Sequence, residues 1–150
     1  MTVMVSNFGN WRSAMLLGFR ASAVGQMIAV FSQALLAGFA LSGNSGSLTA
    51  HTVNGGVALV FSIVQVVFGL LLRNKLPKWV LAASLGLLLG EMAQMASGHR
   101  HWFAVHLPLG LALCAILVPL VLWIANEAAF THGMSGVGGD PAGKLSIGGE

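Results

Sequence analysis

Charge is what this chain has least of. Only 7% of its 150 residues are Asp, Glu, Lys or Arg, whereas an ordinary soluble domain carries about a quarter, and 56% are hydrophobic. That excludes a soluble globular domain. Cysteine is nearly absent too, and a single Cys114 excludes a disulfide framework. It stands midway along an apolar run, where it reads as a small packing residue. A cleavage site is also missing: the first apolar run is long, lies behind Arg12 and Arg20, and reads as a retained helix, not a signal peptide.

What is present is apolar length. A membrane-crossing helix needs about 20 mostly apolar residues, and four stretches qualify: 21–41, 52–72, 79–97 and 102–125. The fold class expected is therefore all-α and integral to the membrane, a four-transmembrane-helix up-down bundle over 21–127. Little remains outside it. Residues 1–20 read as a cytoplasmic amphipathic segment, and 128–150 as a glycine-rich tail with no packable pattern, expected to be disordered and cytoplasmic.

The formal net charge of +3 suggests nucleic acid only until the basic residues are located. Arg12 and Arg20 precede the first span, and Arg73, Lys75 and Lys78 lie between the second and third. This is the positive-inside pattern. It places both termini in the cytoplasm of a cell-membrane protein and the turns at 42–50 and 98–101 outside, and it disfavours nucleic acid as a partner.

Two segments resemble each other. Gln33-Ala-Leu-Leu-Ala-Gly38 is followed by a loop and His51-Thr-Val-Asn-Gly55, and Gln94-Met-Ala-Ser-Gly98 by a loop and His106-Leu-Pro-Leu-Gly110. Each is a helix end carrying Gln and Gly, then a helix opening on His-x-x-x-Gly. The chain thus reads as two repeated helical hairpins. Helical spacing from His51 reaches Gly55, Ala58, Ser62, Gln65 and Gly69, a small and polar stripe on a large apolar helix. Such stripes face protein, because lipid-facing positions favour bulky apolar groups. The matching inward sets are Ser22, Gln26, Ala29, Gln33 and Ala37 in the first span and Gly86, Gly90, Gln94 and Ser97 in the third. In the fourth they are His106, Gly110 and either Leu113 or Cys114.

His51 lies 22 positions before Arg73 and His106 lies 21 before Glu127, so both stand roughly 30 Å above the inner boundary at about 1.5 Å per residue. Two inward imidazoles at one level, each with a glycine a turn deeper (Gly55, Gly110), suit a flat cofactor gripped from both sides. Histidine is an axial ligand of haem iron. Haem b on His51 and His106 would turn its propionates to water, where Arg100 and His99 or His101 could pair with them. The bland alternatives stay open at this point: interfacial histidines with one wet nitrogen, and a solvated polar loop at 99–101.

Glu91 is an acid inside a span, which is costly and marks a functional candidate. It could bond a ligand histidine, carry a proton or pair with Arg100. The structural alternative is an acid bonded to Gln33 or another amide of the bundle.

The Gln and Gly near one helix end, the short outer loop and "VHLPLGLAL" opening the next span resemble one four-helix half of heme A synthase, and the wider group of small four-helix b-type cytochromes. The likeness spans roughly 21–125. It implies haem b held between His51 and His106. The chain departs from the heme A synthase pattern, which has a glutamate one turn before its first ligand histidine and an arginine after it; here Ser47-Leu-Thr-Ala50 precede His51 and Thr52 follows. With one bundle only, haem binding survives from the likeness and haem oxidation does not.

The expectation is then a bis-His b-type membrane cytochrome in the lipid bilayer, passing electrons between a quinol or a partner subunit and an acceptor, more an electron carrier than an enzyme. A homodimer or docking to other subunits of a respiratory assembly fits the small-residue stripes. Two rivals stand beside it: a cofactor-free accessory subunit stabilising a larger complex, and a copper or zinc site or membrane-enzyme centre built from Glu91, His99, His101 and His106.

Overall fold

The computed structural model describes the backbone of residues 3–136 and the side chains of residues 11–127. Its elements are four helices, α1 (Val3–Leu41), α2 (Ser45–Leu71), α3 (Lys78–His99) and α4 (Phe103–Gly136), and no strand occurs among the described residues. Each helix packs on its neighbours in the cyclic order α1, α2, α3, α4. Antiparallel connections of three, six and three residues at 42–44, 72–77 and 100–102 make it an up-down bundle, with α2 and α4 on one diagonal. All four helices are long and apolar enough to cross a membrane, over Trp11–Leu41, Ser45–Leu71, Lys78–His99 and Phe103–Glu127. The chain is a multi-pass membrane protein.

Several boundaries differ from the sequence expectation. Residues 3–20 are not a separate segment but the continuous start of α1, because Arg12 and Arg20 lower hydropathy without breaking helix geometry. The second helix begins at Ser45, seven residues early, since Asn44 caps it by accepting the Ser47 N–H at 3.2 Å. The tail expected from 128 is still helical to Gly136. The rest of it, 137–150, and the side chain of His132 lie outside the described residues.

The two short turns are built alike. After α1, the Asn44 N–H donates to the Phe39 carbonyl and the Gly43 N–H to Ala40, with Gly43 at φ 93°. After α3, the Trp102 N–H donates to Ser97 and the His101 N–H to Gly98, with His101 at φ 57°. Both are Schellman caps, whose left-handed position is normally glycine. The hairpin repeat therefore extends to its turns, with His101 standing where the first hairpin has Gly43.

Without a hydrophobic drive between helices in lipid, close contact and buried hydrogen bonds hold the bundle. On α1, Gly18 and Gly25 are seven residues apart; on α2, Phe68 and Phe61 are seven apart in the antiparallel sense. A Cβ at Gly25 would lie 2.5 Å from the Phe61 ring, and one at Gly18 would lie 2.5 Å from Phe68. Two rings thus seat on two glycines, one every second turn. Asn54 Nδ2 donates to the Ala29 carbonyl at 2.7 Å, Gln26 to Ser62, and Gln65 Nε2 to Ser84 Oγ at 2.9 Å. At the end carrying Arg73, Lys75 and Lys78 the interior is apolar, filled by Phe19, Leu72, Val80, Leu120 and Ile124, with Trp79 and Trp123 in edge contact at 5.6 Å.

The stripe read on α2 is the buried one: Gly55, Ala58, Ser62, Gln65 and Gly69 face the interior. On α4 it runs through Leu113, with Cys114 half-buried. Gly86 is a correction. It is exposed, with open space where its Cβ would be, and Ser84, Leu87 and Glu91 turn inward instead.

Candidate functional site

The two histidines belong to diagonal helices, yet their rings meet. The centroids of His51 and His106 are 5.9 Å apart with planes at 63°. Each ring is held in the same way. His51 Nδ1–H donates to the Gln33 carbonyl at 3.1 Å and His106 Nδ1–H to the Gln94 carbonyl at 3.0 Å. A carbonyl only accepts, so Nδ1 carries the proton on both rings and the lone pair sits on Nε2. A bond of this kind is the usual outer support of a metal-ligating histidine. Ser97 Oγ, itself bonded to the Gln94 carbonyl at 3.0 Å, stands 3.4 Å from His106 Nδ1.

Between the rings lies a cavity of about 40 Å³, lined by Val30, Gln33, Glu91, Gln94, Gly110 and Leu113 as well as the two histidines. It has room for a few waters. The glutamine side chains explain the glycines one turn below each histidine: a Cβ at Gly55 would lie 2.7 Å from Gln33 Nε2, and one at Gly110 would lie 2.8 Å from Gln94 Nε2. Both glycines make room for an amide, not directly for a macrocycle. The side-chain oxygens of Gln33 and Gln94 and one oxygen of Glu91 are buried with no hydrogen-bond partner, as are those of Gln26 and Gln65 deeper in the bundle. Each orphaned buried acceptor costs about 1–3 kcal/mol.

Glu91 is 3% exposed. Its neighbour is Gln26, one of the bundle amides, and not Arg100. Arg100 is exposed on the α3–α4 turn with its guanidinium 5.2 Å from the Trp102 ring, and His101 stands at the same rim, 6.1 Å from Phe103. The metal centre of Glu91, His99, His101 and His106 does not form. No three of His, Cys, Asp and Glu gather to hold an ion among the described residues, because α3 ends at His99 and leaves His99 and His101 exposed while His106 turns inside.

Whether haem fits can be judged from donors and space. A metal holds an imidazole nitrogen at about 2.0–2.1 Å and the ring centre lies about 1 Å beyond, so two imidazoles on one metal atom have centres about 6 Å apart. The observed centroid separation is 5.9 Å, in an edge contact. The macrocycle needs the space over Gly55 and Gly110, which the two glutamine amides fill with their oxygens unbonded. The imidazole donors suit the group, but the cavity of about 40 Å³ does not hold a macrocycle as it stands: Gln33 and Gln94 occupy that space, and Gln94 Nε2 stands 3.4 Å from His106 Nε2.

The carbonyl supports and the orphaned oxygens are features that residue patterns missed; Gln33 and Gln94 read as inward-facing, but not as the groups that fill the space over Gly55 and Gly110. The signal for the glutamines was present in the repeat, since Gln precedes His in both hairpins. No known family model, curated protein or solved structure matches the chain.

Proposed function

We propose that the chain is a haem b-binding integral membrane protein in which His51 and His106 are the axial ligands, working in electron transfer with a quinol or a partner subunit. The observation that carries this reading is the pair of imidazoles 5.9 Å apart, each with Nδ1 tied to a backbone carbonyl so that Nε2 is the acceptor nitrogen, the one on His106 facing the Gln94 amide at 3.4 Å. The basic residues at 73–78, set against Arg100 at the histidine end, support a reading with the site near the outer face of the cell membrane and the termini in the cytoplasm.

Haem supplies one-electron redox chemistry when bound. The protein does the rest. The carbonyl bonds fix the tautomer and aim of both rings; Gly55 and Gly110 give the Gln33 and Gln94 amides their places one turn below; the Arg100 guanidinium offers a positive group at the rim for carboxylates. Two histidine ligands leave no open coordination position, which suits electron relay over oxygen chemistry.

The test is the absorption spectrum of the purified protein. A bis-imidazole b-type spectrum that disappears in His51→Ala/His106→Ala is expected; a double variant that retains full haem overturns the assignment. The small cavity, narrowed from both sides by Gln33 and Gln94, favours a second reading, a cofactor-free subunit of a larger membrane assembly. That reading requires a colourless protein that copurifies with partners.

A further inference from the structure

Below the histidines the bundle axis is polar on three sides. α1 contributes Gln26, α2 contributes Ser62 and Gln65, and α3 contributes Ser84 and Glu91, all between 0% and 3% exposed. Three of them, Gln26, Gln65 and Glu91, each leave a buried oxygen unbonded, and the same holds for Gln33 and Gln94 at the cavity above. Interior polar atoms without protein partners are the places where ordered water sits. From His51 to Gln65 is 14 residues, roughly 21 Å of helix at about 1.5 Å per residue.

The two ends of this column differ. At one end the histidines that line the cavity are only half-buried and lie within two turns of helix of the exposed connections at 42–44 and 100–102. At the other, Phe19, Leu72, Val80, Leu120 and Ile124 close the axis with aliphatic and aromatic packing. The fourth wall is apolar throughout, because α4 places Leu113, Leu117 and Leu120 on its inner face.

We infer that this column is a water-filled half-channel, open at the histidine end and sealed at the basic end, through which water and protons reach Glu91 from one side of the membrane only. Glu91 forms the one acidic group in it. The inference goes beyond haem binding and does not depend on it.

Thiol access tests it. In a Cys114→Ala background, Ser62→Cys and Ser84→Cys each place a thiol in the channel wall, and Ile124→Cys places one in the seal. Ser45→Cys and Asn74→Cys, both exposed and at opposite ends, identify the two faces of sealed vesicles. Silver ion is added to one face, and surviving thiols are counted with a maleimide after unfolding. The channel thiols should be lost at least tenfold faster with silver on the Ser45 face than on the Asn74 face, while the Ile124→Cys thiol stays inert from the Ser45 face. Channel thiols as inert as that of Ile124→Cys, or reached first from the Asn74 face, overturn the inference. Ser62 and Ser84 lie on different helices, so one variant carries the test if the other fails to fold. Absorbance plays no part in the readout: a colourless protein that passes it refutes the haem reading and leaves the half-channel standing.

Discussion

Gly98 offers a direct way to disturb one histidine and spare the other. A Cβ added there would lie 2.9 Å from Cε1 and 3.1 Å from Nδ1 of His106. Carbon contacts relax near 3.5–4.0 Å, so the ring must retreat by about half an ångström. Its bond to the Gln94 carbonyl is 3.0 Å long; stretched to about 3.5 Å it is no longer a hydrogen bond of normal strength. Loss of such an outer support typically weakens metal affinity about 10–100-fold, or about 1.4–2.8 kcal/mol. The repeat supplies its own control, because Gly38, at the corresponding helix end of the first hairpin, has nothing within 4 Å of its Cβ position. Titration of haem into apoprotein should therefore show a 10–100-fold weaker Kd for Gly98→Ala and an unchanged one for Gly38→Ala. Equal effects, or none at Gly98, would refute the idea that the carbonyl-held ring is the ligand.

Three further outcomes are expected. Gly25→Ala drives a methyl into the Phe61 ring and should cost about 1–3 kcal/mol, the usual penalty of overpacking; unfolding in detergent checks it, and Phe61→Leu in the same chain should return most of the loss. Asn54→Leu removes the interhelical bond to the Ala29 carbonyl and should cost no more than about 1.7 kcal/mol, the upper end for such bonds in membranes, measured the same way. His101→Gly relieves a left-handed position that glycine occupies in the sister turn, worth about 1–2 kcal/mol, against about 0.4–1 kcal/mol for the freer unfolded chain, and should stabilise by about 1 kcal/mol; a loss of stability would show that the imidazole does more than fill the turn.

The α2 stripe was legible because small and polar residues recur at helical spacing on a helix otherwise made of Val, Leu and Phe, so the inward face stood out by contrast. α3 lacked that contrast. Glycine and alanine occur on several of its faces, and Gly86 looked inward on composition while the geometry turns it outward. An apolar run that starts at residue 21 predicts a helix starting there, but hydropathy reports what lipid tolerates and α1 starts at Val3. The histidine pair followed from matched depth in two helices. The bonds that hold it did not, because their acceptors are backbone carbonyls, which every residue has. The seating of Phe61 and Phe68 on Gly25 and Gly18 involves two helices at once, and neither helix alone displays it.

The burial of Glu91 among side chains of the first hairpin, Gln26 beside it, bears on the order in which the helices assemble. α3 is the least apolar span, with a mean hydropathy of 1.4 against 2.5 for α4, and an acid near the middle of a helix opposes its entry into lipid by about 2.5–3.5 kcal/mol. The group that relieves this lies on α1, already joined to α2 through the glycine seats. The first hairpin is thus a receptor for the third helix. During synthesis it emerges first, and α3 can leave the insertion machinery at low cost only by docking directly against it.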